Sequence, residues 1–335
     1  MKLARIFKKL SVALVALVGV AMLAGAAFEQ MGRIKARRDY PPPGRMIDIG
    51  GRRIQLDCRG KGSPTVVFES GLGTSGSLDW WRVHDRIAAT TRACVYSRAG
   101  MMWSDPAPEP RDGNAMAGDL HKTLSVSGEA FPIVLVAQSA GGLIAMIYTR
   151  RFPTEVAGLV MVDTSNPDQD RIVRAILGQK SDGWPPMLRY RLDQALIWTG
   201  GYRLSTLLSP RKETDFPQDQ LSAYRAYGPT SFSEWVNEEA AWDATLKEAD
   251  GPHEWGNRPV YVMTGGVWPT DPSLPADKAS ALRRAWRSMH DEQASWSTVS
   301  HHEVIPDGLH VLQLQKPDAV VKGVLWVVDK VKAGG

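Results

Sequence analysis

No other part of the chain limits the fold as tightly as residues 131–151. Phe131-Pro-Ile-Val-Leu-Val136 is an unbroken apolar run, Ala137-Gln-Ser-Ala-Gly141 groups small residues around a serine, and Gly142–Arg151 reads as a helix. A strand without polar alternation is buried on both faces, as in a parallel sheet covered by helices. The small residues let strand and helix pass closely at a sharp turn with Ser139 at its apex. Such a turn is either a plain connection with an incidental serine or a nucleophile elbow.

The flanking segments extend the same architecture. Met46–Ile49 and Arg52–Cys58 read as a hairpin around Gly50-Gly51. Strands are expected at Thr65–Glu69, Cys94–Ser97, Pro132–Val136, Ala157–Asp163, Pro259–Thr264 and Glu303–Ile305. Between and after them, helices are expected at Leu78–Ala89, Asn114–Ser125, Gly141–Arg151, Pro275–Trp296 and Asp318–Val331. This alternation predicts an α/β fold with a mostly parallel sheet. It lapses over Asp168–Gly256, where helical patterns appear near Leu188–Thr199 and Ser233–Lys247. A chain of 335 residues with 43% hydrophobic content can bury one large core, alone or with an inserted subdomain.

Charge is unevenly placed. Residues 1–40 hold eight Lys or Arg and two acids, a balance of +6, so the remainder carries 4 − 6 = −2. The folded part therefore has no basic surface suited to nucleic acid. Lys2, Arg5, Lys8 and Lys9 precede Leu10–Phe28, 19 residues without a charge. This is a membrane anchor or, with Ala24-Gly-Ala26 as the cleavage region, a signal peptide. The basic N-terminal side favours an uncleaved anchor with its N-terminus inside and the catalytic domain outside the cytoplasm. Tyr40-Pro-Pro-Pro-Gly44 then serves as a stiff linker. No Cys, His or carboxylate cluster has metal-ligand spacing, and neither a metal nor another cofactor is expected.

Four further motifs accompany the elbow: Thr65-Val-Val-Phe-Glu-Ser-Gly-Leu-Gly-Thr74, Val95-Tyr-Ser-Arg-Ala-Gly100, Ala157-Gly-Leu-Val-Met-Val-Asp163 and Pro306-Asp-Gly-Leu-His310. In the order serine, acid, histidine the chain resembles the α/β-hydrolase superfamily. It is most similar to bacterial serine hydrolases and esterases with an N-terminal hydrophobic segment. The likeness runs from about Pro41 to the C-terminus and is weakest in the middle. It implies an eight-stranded, mostly parallel sheet with helices on both faces. Residues 1–40 would be the signal or anchor segment with its linker. Residues 41–335 would be the hydrolase domain, with 168–257 a helical cap inserted after the sixth strand.

The resemblance also assigns roles. Ser139 would be the nucleophile and His310, between the last strand and last helix, its base. The acid would be Asp163, ending the sixth strand in the relatives' V-D-[TS] pattern, or alternatively Asp271 in the loop after the seventh. Backbone N–H groups of Leu72 and Ala140 would form the oxyanion hole. A serine nucleophile argues against the chemistry of superfamily epoxide hydrolases and haloalkane dehalogenases, which place an aspartate there. The chain departs from the pattern at Ala137 (usually glycine), Ser97 (usually aspartate) and Gln138 (commonly histidine). Gln138 is expected to support the loop or the pocket wall. Cys58 and Cys94 fall on strands that neighbour each other in that sheet, so they would form a disulfide or two buried thiols. Trp184, Trp198, Trp235, Trp242 and Trp255 are expected in the core of the cap. The implied activity is hydrolysis of a small-molecule carboxylic ester, or an amide, through an acyl-enzyme. The alternatives are a non-catalytic binding module of the same fold and an acyltransferase.

Overall fold

Eight strands form one sheet in the order β1-β2-β4-β3-β5-β6-β7-β8. The structure, a computed structural model, describes residues 2–178, 187–208, 216–267 and 272–334. Helix α1 (Lys2–Asp39) leads into the hairpin β1 (Arg45–Asp48) and β2 (Arg53–Arg59). There follow β3 (Thr65–Glu69), α2 (His84–Ala88), β4 (Ala93–Ser97), α3 (Gly113–Ser127), β5 (Ile133–Gln138), α4 (Gly141–Arg151) and β6 (Val156–Val162). Between β6 and the next strand lie α5 (Gln169–Leu177), α6 (Met187–Ile197), α7 (Gly201–Leu208), α8 (Gln218–Ala240) and α9 (Trp242–Ala249). The chain closes with β7 (Val260–Gly265), α10 (Ala276–Ser295), β8 (Ser300–Ile305), α11 (Leu312–Gln315) and α12 (Pro317–Gly334). Strands β3 to β8 pair in parallel, and β1 and β2 join at the antiparallel edge.

The apolar runs feed two cores, one on each face. On β5, Ile133, Leu135 and Ala137 face one helical layer, with α3 and α4. Val134 and Val136 face the other, with α12. Full burial of each such side chain is worth roughly 1.5–3 kcal/mol, so the central strands anchor the molecule. Helix α4 is also deeply enclosed, with nine of its eleven residues buried. Helix α3 starts on the Asp112 carboxylate, which accepts the Ala115 N–H at 2.9 Å, and stops at Gly128, whose φ of 77° no β-branched residue would tolerate.

Three elements differ from expectation. The helix expected over Leu78–Ala89 is a 3-10 turn, Gly76–Trp80, followed by the short α2. There Trp80 is fully buried against Phe68, and its indole N–H donates to Ser70 Oγ at 3.1 Å. That bond ties the turn to the loop after β3. Helix α1 continues beyond the charge-free run to Asp39, and Glu29 inside it is completely buried. The tryptophans of the insertion divide. Trp242 and Trp255 join the core beneath the sheet's helical layer, Trp235 is half-buried, Trp198 is exposed, and Trp184 lies outside the described residues. Trp198 lies outside the core, its ring carrying the Arg33 guanidinium 4.9 Å from the centroid.

Cys58 and Cys94 face each other in the β2–β4 register and are joined as a disulfide.

Candidate active site

Two non-glycine residues at strand ends adopt left-handed backbone, Ser139 after β5 (φ 51°) and Asp163 after β6 (φ 47°). Such conformations cost free energy and persist where the surroundings enforce them. At Ser139 the enforcement is visible: its N–H donates to Val162 O at 3.3 Å and its carbonyl accepts the Ser165 N–H at 2.9 Å. The elbow also needs small neighbours. A Cβ on Gly141 would stand 2.7 Å from Ser70 O, and one on Gly71 would stand 2.3 Å from Gln138 Oε1. Asp163 is held the same way, its N–H donating to Met263 O at 2.8 Å.

These turns aim three side chains at one another. Ser139 Oγ lies 2.8 Å from His310 Nε2, and His310 Nδ1 lies 2.7 Å from Asp163 Oδ2. The other oxygen of Asp163 accepts Gly265 N–H at 2.8 Å and Trp286 Nε1–H at 3.0 Å. The carboxylate is fully buried, so these donors offset its desolvation. A carboxylate facing Nδ1 keeps the proton there and leaves the Nε2 lone pair directed at the Ser139 hydroxyl. The alternative acid, Asp271, lies outside the described residues. Gln138 Nε2 donates to His310 O at 3.1 Å, so the residue before the serine steadies the loop carrying the histidine.

Sequence reasoning missed several supporting residues. His290 is fully buried on α10; its Nε2 donates to Thr164 O at 2.9 Å and its Nδ1 accepts from Thr264 Oγ1 at 2.7 Å. Burial lowers its pKa, which keeps the ring neutral beside Asp163. Arg98 matters more. Its buried guanidinium donates to Ser70 O, Gly71 O and Glu69 Oε1, and grips Glu238 of α8 with two bonds of 2.8 Å. One side chain thus fixes the glycine-rich loop and clamps the inserted helices to the sheet. Arg111, donating to Glu234 of α8 at 2.8 Å, adds a second clamp. Ser97, in place of an aspartate, donates to Gln55 Oε1 at 2.9 Å in the buried strand layer.

Ser139 and His310 open on a cavity of about 460 Å³, with Asp163 buried behind them. Gly71, Leu72, Ser139 and His310 form its floor, and Phe216 and Tyr224 reach it from the insertion. Leu72 thus borders the serine, and Ala140 is the N-cap of α4, where backbone N–H groups and the helix dipole favour negative charge. Asp79 also lines this cavity; burial pushes its carboxyl up to about 6, against the pull of the Ser75 hydroxyl and Arg98. Among the described residues, the grouping of possible metal ligands is Cys58, Cys94 and Glu129, in which the two sulfurs are already bonded to each other.

Known proteins agree with this architecture. A Bacillus subtilis protein of uncharacterised function, YbdG, is 26% identical over 127 residues, 38% of this chain and 39% of its own. The match therefore spans well under half the length of that curated relative. Among solved structures, a candidate epoxide hydrolase from Pseudomonas aeruginosa superposes with a TM-score of 0.59 at 19% identity, covering 86% of this chain and 96% of its own. A thermophilic esterase from Thermogutta terrifontis gives 0.52 at 20%, covering 84% and 94%. At these identities the structures speak for the fold. The family described as alpha/beta hydrolase fold matches residues 64–317, three quarters of the chain, and the protein belongs to that family, whose solved neighbours are hydrolytic enzymes.

Proposed function

We propose that the protein is a serine hydrolase that cleaves carboxylic esters through an acyl-enzyme. The observation that carries this reading is the Ser139–His310–Asp163 chain of contacts at 2.8 and 2.7 Å, mounted on a left-handed serine. Ser139 Oγ attacks the ester carbonyl carbon while its proton passes to His310 Nε2. The electron pair pushed onto the carbonyl oxygen is received by the N–H groups of Leu72 and Ala140. As the tetrahedral species collapses, the bond to the leaving oxygen breaks and His310 returns the proton to it. Water, deprotonated by His310, then attacks the acyl carbon, releasing the carboxylic acid and restoring Ser139. Asp163 holds the Nδ1 proton and stabilises the imidazolium throughout.

The same proposal makes α1 an anchor, N-terminus inside, with the catalytic domain outside the cytoplasm. Supporting it are the four basic residues ahead of the apolar run and the length of a helix able to cross a bilayer. The Cys58–Cys94 disulfide suits an oxidising compartment.

Ser139→Ala should lower chromogenic ester hydrolysis by about 10⁵-fold or more and abolish labelling by a fluorophosphonate probe, with the fold intact by circular dichroism. Activity near wild type would end the serine-hydrolase reading.

A further inference from the structure

A second cavity, of about 670 Å³, lies between α1 and the inserted helices, within the usual size of a ligand site. Phe28, Met31 and Ala36 of α1 face Tyr202 and Leu207 of α7 and Gly228 of α8 across it. It meets the catalytic cavity at Tyr224, which lines both. There the Tyr224 hydroxyl is 2.8 Å from Thr74 Oγ1, at the end of the glycine-rich loop. The Tyr224–Thr74 contact stands between the two cavities, so a path from the end of α1 to Ser139 runs past it.

The depth of this region follows from α1. Its charge-free run of 19 residues rises ~28 Å, about the thickness of bilayer hydrocarbon, so a spanning α1 uses the whole run. Yet the turn between α6 and α7 touches α1 inside that run. A Cβ on Gly25 would lie 2.0 Å from Thr199 O, and one on Gly200 would lie 2.7 Å from Gly25 O. One helical turn later Arg203 bonds the buried Glu29 at 2.8 and 3.1 Å, fixing the contact. The inserted helices therefore reach the membrane boundary.

Their surface suits that position. On α6, Leu188, Leu192 and Leu196 recur every four residues, and each is more than half exposed. Two polar side chains of α6 instead turn inward, Gln194 donating to Ser233 O at 3.0 Å and Arg191 to Asn237 Oδ1 at 3.0 Å. Leu204, Leu207 and Leu208 of α7 extend the exposed apolar surface. A helix with leucines outward and amides inward is arranged for lipid.

We propose that this cavity receives the hydrocarbon chain of a membrane lipid ester from the bilayer and leads it past Tyr224 to Ser139. This rests on the serine-hydrolase reading for its chemistry and narrows the substrate to long-chain acyl esters. Gly228 is the position to block, because a Cβ there meets nothing within 4 Å. In the full chain in detergent micelles, Gly228→Phe should lower the ratio of kcat/KM for p-nitrophenyl hexadecanoate to that for p-nitrophenyl acetate at least tenfold. Thr206→Trp, from the facing helix, should do the same. A ratio within twofold of wild type in both would overturn the channel. A second measurement does not need turnover. Ser139→Ala protein in phosphatidylcholine vesicles doped with a diazirine-bearing phosphatidylcholine should acquire cross-links on α7 and α8, Tyr224 included. Cross-links confined to residues 5–24 of α1 and the exposed leucines of α6 and α7, with none on Tyr224, would overturn the proposal. Loss of fluorophosphonate labelling in the wild type would instead sink the hydrolase reading and leave the lipid cross-links to decide the channel.

Discussion

The sheet edge that carries Ser139 and Asp163, and the inserted helices, solve opposite problems with the same kinds of residue. In β5 and β6 every position except the half-buried Ala157 is buried, and polar groups that enter this layer, such as Asp163 and His290, are met by fixed donors and acceptors. In α6 and α7 the leucines point outward, while Gln194 and Arg203 turn inward. The first arrangement holds atoms to within a hydrogen-bond length, as acid–base chemistry demands. The second leaves an apolar surface that only a lipid or another apolar partner would cover. The two regions meet at Arg98.

The sharpest test of the sheet side is Asp163→Asn. The amide would present an N–H or a neutral oxygen to His310 Nδ1, disfavouring the tautomer that leaves Nε2 free for Ser139. We expect kcat/KM to fall by about 10³–10⁴, with the unfolding midpoint little changed. A loss below tenfold, measured on a short chromogenic ester, would place the working carboxylate elsewhere.

Arg98→Met tests the junction. It leaves Glu69 and Glu238 buried opposite each other with the cation gone, which should cost about 3–5 kcal/mol in urea unfolding. Adding Glu238→Leu should restore part of that loss, because one stranded carboxylate is removed. A single-variant loss under about 1 kcal/mol would mean the two regions are held together by packing alone.

The disulfide tests the antiparallel edge of the sheet. It closes a loop with a sequence separation of 36, worth about 3–4 kcal/mol in the chain-entropy model. Cys58→Ser with Cys94→Ser should lose that much stability while keeping the ratio of long- to short-chain ester activity. Denatured, unreduced protein from the host membrane fraction should show no titratable thiol. Two thiols there would remove the bond.

These regions also differ in how far the sequence discloses them. The elbow, His310 and Asp163 sit in short strand-to-turn patterns, where a few neighbouring residues dictate backbone and exposure. The mostly parallel eight-stranded sheet, with the two cysteine strands side by side, followed from the alternation and the family likeness. Arg98 could be read only as part of a motif, because its partner Glu238 lies 140 residues away in the least patterned segment. The Glu29–Arg203 pair, 174 residues apart, was equally hidden. For α6 the four-residue leucine spacing announces a helix correctly, but amphipathic reasoning assumes that the apolar side faces the core. Here it faces out, and nothing local distinguishes the two. The 3-10 turn at Gly76–Trp80 escaped because its cause, the Trp80 bond to Ser70, is tertiary.

The smallest effect concerns Asp79, the carboxyl that faces the catalytic cavity beneath the insertion. Burial raises its pKa to about 6, so the folded protein holds this proton more tightly than the unfolded chain does. A carboxyl of that kind favours the folded state below the ordinary carboxylate range, and that contribution is lost as pH rises to about 6. The side chain is partly open to the cavity, so the effect should be on the order of 1 kcal/mol rather than the full value of the shift. Asp79→Asn should therefore lose about 1 kcal/mol less stability than wild type between pH 4 and pH 7.5, by urea unfolding at both values. All other titrating groups are common to the two proteins and cancel in the difference. Parallel pH profiles would mean that water reaches Asp79 freely, and the floor of the catalytic cavity would then be as wet as the outer surface.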